Sequence, residues 1–315
     1  MGTSTSNPGP TGRPPLLPPW AEPPEPEVGA GNTDPPLDEN PAEEQSPNPP
    51  PPGDGHTGPN ELPAPLDQRP SWNSPRRLVG GVASGRISGD RGRANVRRAV
   101  RRSIGAMGGG KSASWSSAAG RQTAARFAGF LAGIATAGIA TAARTLGITE
   151  SLGQSADLFL VRLADALAPS GALTEDAIAR DAMDATLEEL YEQQGIGGAD
   201  GLNALERMTP GMMADSVLRY VANYIYGRVL QALTAHIHAS STSAARIREV
   251  EQTARQYIDD AVRLDVDTTA FFGTNGAAFA ARWDAGEGQQ VIDRLFAESY
   301  RVVEAGLHRR DRSRP

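Results

Sequence analysis

From residue 91 to about residue 307 the apolar residues of this chain recur at helical spacing, segment after segment. In residues 91–104, Val96, Val100 and Ile104 stand at i, i+4 and i+8 while the arginines take the other faces, which predicts a basic amphipathic helix. Residues 105–117 read as a glycine/serine loop. A helix is then expected over 121–146, whose centre, 127–143, is 17 residues without a charge and carries Gly129 and Gly133 as a G-x-x-x-G pair. Residues 155–168 place Leu158, Val161, Leu163 and Leu167 ahead of a break at Pro169 and Gly171. Thr174 is positioned to cap a helix through about Gln194, with Glu175 and Asp176 in its positive first turn. Its apolar side holds Ile178, Met183, Leu187, Leu190 and Tyr191.

Thr209 followed by Pro210 is a sound helix start, a cap and then proline at the first helical position. That helix aims Met213, Val217, Tyr220, Tyr224, Ile225 and Val229 at a core, and Ser243 opens another with Ile247, Val250, Tyr257, Ile258 and Val262. The last helix spans about 276–307, with Phe279, Trp283, Val291, Ile292, Leu295, Phe296, Tyr300 and Val303; Gly286–Gly288 is a candidate break in it. Sustained period-two alternation of β-branched residues is absent, as is a hairpin turn between two such runs. The expected fold class is all-α, with about five to seven helices after a long disordered, proline-rich N-terminal tail.

Composition sets the boundaries. Of 25 prolines, 22 precede Arg76, and a stretch so rich in Pro, Gly, Ser, Asn and acids cannot bury enough apolar surface to offset its ordering entropy. The expected organisation is an acidic tail over 1–75, a basic Arg/Gly-rich segment over 76–126, a helical domain over 127–307 and a basic C-terminal tail over 308–315. Charge follows the same divisions. Residues 1–75 hold 11 acids and 2 arginines, net −9, whereas residues 76–126 hold 11 arginines, Lys111 and one acid, net +11. The remainder is net −8, so a chain total of −6 conceals a strongly basic band. Cysteine is absent, which excludes disulfides, thiolate metal sites and cysteine nucleophiles. The N-terminus has neither the basic start nor the apolar stretch of a secretory signal, and the expected location is cytoplasmic.

Three motifs invite a chemical reading. Gly105 to Ser112 satisfies G-x-x-x-x-G-K-[ST], with Gly110, Lys111 and Ser112 at the positions that cradle phosphate and magnesium in a nucleotide-binding loop. Such a loop needs a hydrophobic strand before it, and here a basic helix precedes it, so a flexible basic loop is the preferred reading. His236 and His238 are two apart and face different sides of a helix, so no metal site or other cofactor is expected. The basic band could neutralise phosphates through Arg97, Arg98, Arg101, Arg102 and Lys111. Trp115 and Trp72 are the only aromatic residues near it, which argues against single-strand readout; the chain's acidic tail or an acidic partner are the competing ligands. A membrane span needs about 20 predominantly apolar residues, and the run at 127–143 is shorter and flanked by Arg126 and Arg144, so a buried helix is preferred to a membrane one. No constellation supports catalysis.

The N-terminus is the remaining candidate site. Met1 precedes Gly2, whose amine becomes free if Met1 is removed, and Leu16, Leu17 and Trp20 lie just behind in a polyproline context. A segment of that kind is pre-extended and loses less entropy on docking into a groove. Gly2 to Ser6 also fits a myristoylation pattern, a eukaryotic reading that an Arg/Ala/Gly-rich composition does not favour.

The opening Met-Gly-Thr-Ser, the Pro-Leu-Leu-Pro-Pro-Trp that follows, and the Arg-rich stretch running into Gly-Gly-Gly-Lys-Ser-Ala resemble the QatB family of bacterial anti-phage defence systems. The helix stretches at 175–183 and 224–229 are similar to that family as well. The resemblance implies a non-enzymatic subunit working with an ATPase (QatA), a QueC-like enzyme of deazaguanine-type chemistry (QatC) and a TatD-like nuclease (QatD). It further implies that Gly2 is an acceptor for modification by the QueC-like enzyme, with Thr3 and Ser4 as recognition residues and Leu16, Leu17 and Trp20 as docking anchors. A basic nucleic-acid-binding scaffold is the rival from another class, and a membrane-attached helical protein using 127–143 is a third.

Overall fold

The computed structural model describes residues 71–168, 171–198, 201–273, 275–284 and 286–306, all within the compact unit Pro63–Pro315. Among the described residues the chain is helical without strands, in the order α1 Asn73–Ala83, α2 Gly89–Ala106, α3 Gly109–Trp115, α4 Ala118–Thr145, α5 Ala156–Leu167 and α6 Thr174–Gln194, then α7 Asn203–Glu206, α8 Pro210–Ser240, α9 Ala244–Asp265, α10 Thr268–Phe272, α11 Gly276–Asp284 and α12 Gly288–Ala305. A 3-10 turn at Thr149–Gly153 joins α4 to α5. The all-α expectation holds. The larger number of helical segments comes from α1, from short pieces such as α7 and α10, from α3, and from the division of the last helix at Gly286.

The helix starts follow local chemistry. The Thr209 hydroxyl accepts from Met212 N at 3.3 Å ahead of Pro210, the Ser243 hydroxyl from Arg246 N at 3.4 Å, and the Ser155 hydroxyl from Leu158 N at 3.3 Å. Each meets a donor that the first helical turn leaves free. At α6 the cap is one residue earlier than the sequence suggests. Leu173 occupies the position with extended backbone, Thr174 is already helical, and Asp176 accepts from Leu173 N at 3.2 Å. The helix ends at Gly195 in the left-handed conformation, where glycine carries no steric cost.

α8 is the central element, 31 residues and so about 46 Å long. α1, α4, α6 and α9 all pack on it. Its buried residues run almost without a gap from Met213 to Ile225, so it is enclosed on several faces rather than along one stripe. α2 is its opposite: Val96, Ala99, Val100 and Ile104 form one buried stripe and the remaining arc faces solvent. α5 also departs from the simple reading of its apolar residues. Phe159, Leu160, Leu163 and Leu167 are buried, while Leu158 and Val161 point outward.

α4 is, among the described residues, the one helix long and apolar enough to cross a membrane by length and composition, and half of its most apolar window is buried inside the molecule. It is also broken. Gly138 has φ +77° and ψ 166°, a backbone state that a side chain would strain, and the amide freed at Ile139 donates to Glu206 of α7 at 2.9 Å. Gly129 serves packing: a Cβ there would lie 3.1 Å from the ring of Trp283, whose indole N–H donates to Ala125 O at 3.3 Å. Trp283 in turn stacks with Phe279 and Phe272 at centroid distances of 5.1 and 6.1 Å. Gly129 of the G-x-x-x-G pair thus admits an aromatic cluster from α10 and α11, whereas Gly133 faces Ala142 within α4.

Candidate functional site

The nucleotide-loop match is part of a helix. α2 ends at Ala106, Gly108 and Gly109 turn the chain with φ of +93° and +83°, and α3 begins at Gly109. The expectation of a glycine/serine loop over 105–117 is therefore corrected. The reason lies in α12: a Cβ on Gly110 would sit 3.2 Å from Arg301 N and from the Tyr300 carbonyl carbon, so the glycine lets α3 press directly on the α12 backbone. The amide that would face a phosphate has a partner of its own, since Gly110 N donates to the Glu304 carboxylate at 2.8 Å. An acid of the protein occupies the anion position, and Lys111 projects to solvent.

Beside α3 a groove of about 820 Å³ opens between α3, α10 and α12, with Trp115, Phe271, Ala270 and Ala297 as its apolar lining and Lys111 and Arg294 among its charged residues. Trp115 is 71% exposed. Arg121 braces it, with the guanidinium 5.9 Å from the ring centroid, a bond to Trp115 O at 3.3 Å and an ion pair to Asp293 at 2.8 Å.

Arg97, Arg98, Arg101 and Arg102 of the basic band are exposed on α2. Arg98 bonds Asn95 within the helix at 3.5 Å, Arg101 donates to Glu304 O at 2.8 Å near the C-terminus of α12, and Arg102 bonds the Ser74 hydroxyl on α1. Arg97 lies exposed beside them, close enough for its charge to act on Tyr257. Burial pushes the Tyr257 hydroxyl up to about 12, although Arg101 and Arg97 pull it the other way; the hydroxyl donates to Val303 O at 2.8 Å. Lys111 is not part of this row, because it stands on α3 at the groove. Gly2, Thr3, Ser4, Leu16, Leu17 and Trp20 lie outside the described residues.

A cluster that the linear sequence did not reveal joins four helices. Glu175, in the first turn of α6, accepts from Ala119 N at the start of α4 at 3.0 Å and from the Tyr224 hydroxyl on α8 at 2.9 Å. Arg228, one turn further along α8, stands 3.9 Å from the same carboxylate and donates to Ser116 O at 2.9 Å and to the Ser116 hydroxyl at 3.1 Å. The Ser117 hydroxyl completes the cluster at 3.0 Å from the Tyr300 hydroxyl of α12. Burial raises the Tyr224 and Tyr300 hydroxyls above the ordinary tyrosine range. Gly120 has no room for a side chain, since its Cβ would meet the Tyr224 ring at 2.5 Å. A carboxylate at the α4 N-terminus answers both the helix dipole and a half-buried guanidinium. The arrangement suits interhelical locking, because its groups satisfy one another.

The signal for this cluster was present as two separate stretches, 175–183 and 224–229, which the fold brings face to face. They meet again where a Cβ on Gly227 would lie 2.9 Å from Ile178. Interlocked helices around one central helix, with surfaces left open at α2 and at the Trp115 groove, define an all-helical body. A family model described as Qat anti-phage system associated protein QatB matches residues 108–303. The match spans more than half of the chain, and the chain belongs to the QatB family, placing it as a subunit of an anti-phage defence system. No curated protein and no solved structure gives a match.

Proposed function

We propose that this chain is a non-catalytic subunit of a multi-protein anti-phage defence complex, that Gly2 is the residue modified by a QueC-like partner, and that the helical body is a scaffold for ATPase and nuclease partners. Family membership over residues 108–303 carries the reading. The Glu175–Tyr224–Arg228 cluster supports the scaffold half, because its ionisable groups are spent joining α4, α6 and α8. The modification half rests on the residues behind Gly2, where Thr3 and Ser4 serve recognition and Leu16, Leu17 and Trp20 supply apolar anchors in a polyproline context. The chemistry in this reading is done to Gly2 and not by it.

The test is the intact mass of the chain co-expressed with its genomic neighbours. Loss of Met1 with an added heterocycle on Gly2, abolished by Gly2→Pro, is the expected result. An unmodified terminus in that setting overturns the modification half. Failure of the chain to co-purify with any neighbour overturns the scaffold half.

A further inference from the structure

The α1–α2 hairpin carries a net charge of +8 over residues 73–106, and it lies outside the segment matched to the family, which begins at residue 108. Residues 73–106 hold nine arginines and one acid, Asp90, in a chain whose total is −6. Arg76, Arg77, Arg86, Arg91 and Arg93 are exposed, as are Arg97, Arg98, Arg101 and Arg102. Asp90 pairs with Arg93. The contacts of Arg98, Arg101 and Arg102 go to neutral oxygens, so they orient guanidinium groups without cancelling charge. Arg248 of α9, also exposed, extends the basic surface across a shallow cleft that it shares with Arg93.

The register of these residues matters. On α2, Arg93, Arg97 and Arg101 follow at i, i+4 and i+8 and Arg98 and Arg102 at i and i+4, while Gly92, Val96, Ala99, Val100 and Ile104 take the buried stripe. The arginines therefore fan over the outward half of a helix 18 residues and about 27 Å long. Its inward half is fixed to α1, α9 and α12.

We infer that the α1–α2 hairpin binds the phosphate backbone of double-stranded DNA without reading its sequence. Two features of the face select this ligand. An acidic protein partner would leave an apolar centre in its interface, and the large apolar side chains that reach solvent (Trp115, Leu158, Val161, Leu173, Met212 and Leu264) all stand off the hairpin. Single strands bind by stacking on aromatic rings, and among the described residues those beside the hairpin, Trp72, Tyr226 and Tyr257, are buried in the core or packed against it. The face is a row of planar cations on a fixed helix, which matches phosphate. A solvent-facing helix also fits the wide major groove of B-form DNA, whereas the deep, narrow major groove of A-form RNA does not admit one.

The experiment is a fluorescence-anisotropy titration of the full chain with a labelled DNA duplex of about three helical turns. Some four or five phosphate contacts give a log–log salt slope of about −4, and an affinity loss on the order of 100-fold between roughly 50 and 200 mM salt. The triple variant Arg91→Gln, Arg97→Gln, Arg98→Gln should reduce that slope by about 3, whereas the three corresponding Arg→Lys changes should largely retain binding. These side chains are exposed, so the Gln variant should melt with the parent. The salt dependence of the unaltered chain stands as a measurement that needs no variant. Absence of duplex binding at the lowest salt overturns the inference, as does a slope the Gln variant leaves unchanged. Tighter binding of duplex RNA, single-stranded DNA or polyglutamate than of duplex DNA overturns it equally. Each of these readouts is independent of whether Gly2 is modified.

Discussion

Arg228 on α8 and the arginines of α2 put the same guanidinium to opposite uses. The Arg228 side chain is 16% exposed and sits among Glu175, Tyr224 and Ser116, so its charge is answered inside the protein and holds helices together. Arg97 and Arg98 are exposed on a helix whose buried stripe lies on its other face. Burial decides the difference. A desolvated charge must find its partner within the fold, whereas a hydrated one remains available to a ligand. The two regions should respond to perturbation in opposite ways, the first in stability and the second in binding.

The largest effect is expected from Glu175→Ala, which removes the acceptor of the Ala119 amide and of the Tyr224 hydroxyl and the counter-ion of Arg228. The loss should be about 3 kcal/mol, read as a fall in Tm of roughly 6–12 °C by circular dichroism. A melting point within a degree or two of the parent would show that water replaces the carboxylate and that the cluster is not a lock. Gly120→Ala comes next. Its Cβ would be driven into a ring that is itself buried, at a cost of about 2 kcal/mol.

Tyr224→Phe removes a hydroxyl that donates to Glu175 and accepts from Arg228 at 3.3 Å, and keeps the ring against Phe296 at 5.6 Å, so about 1.5 kcal/mol is expected. An alkaline titration tests the same burial by another route. The folded Tyr257 hydroxyl is held at about 12, above its ordinary value near 10, so its contribution to stability is complete below the ordinary value and is lost as pH rises through about 12. Tyrosinate absorbance from the folded protein should therefore lag behind that of the denatured chain across this window. Smallest of all, Arg97→Gln and Lys111→Ala should each change stability by no more than about 0.5 kcal/mol, since both side chains are exposed. A large loss from Arg97→Gln would mean that the α2 face is structural, and the contrast between the two regions would collapse.

Much of the helical layout was legible along the chain because its causes are local. Thr209 with Pro210, Ser243 and Gly195 mark helix ends through hydrogen bonds and dihedral preferences confined to one turn. The apolar spacing of α9 and α12 likewise picks out residues that are buried, such as Tyr257, Ile258, Leu295 and Phe296. The candidate sites were legible unevenly. The arginine row of α2 follows from period alone, whereas the Glu175–Tyr224–Arg228 cluster depends on groups about fifty residues apart in the chain. Glu175 on its own looks like any acid in a first helical turn.

By itself the sequence determined the fold class, the principal helix starts and the placement of positive charge on one side of α2, since each rests on spacing and caps within a few residues. Only the tertiary structure decided the fate of residues 105–117. Glycine and serine there carry weak helix propensity, yet Gly110 permits contact with the α12 backbone and Glu304 satisfies its amide, so packing makes a helix where local preference reads as a loop. The same holds for α4, whose unbroken apolar run conceals a break at Gly138 that Glu206 stabilises from another helix. Long-range partners supply what local preference lacks, because a buried amide or charge must be answered from wherever the fold can bring a group.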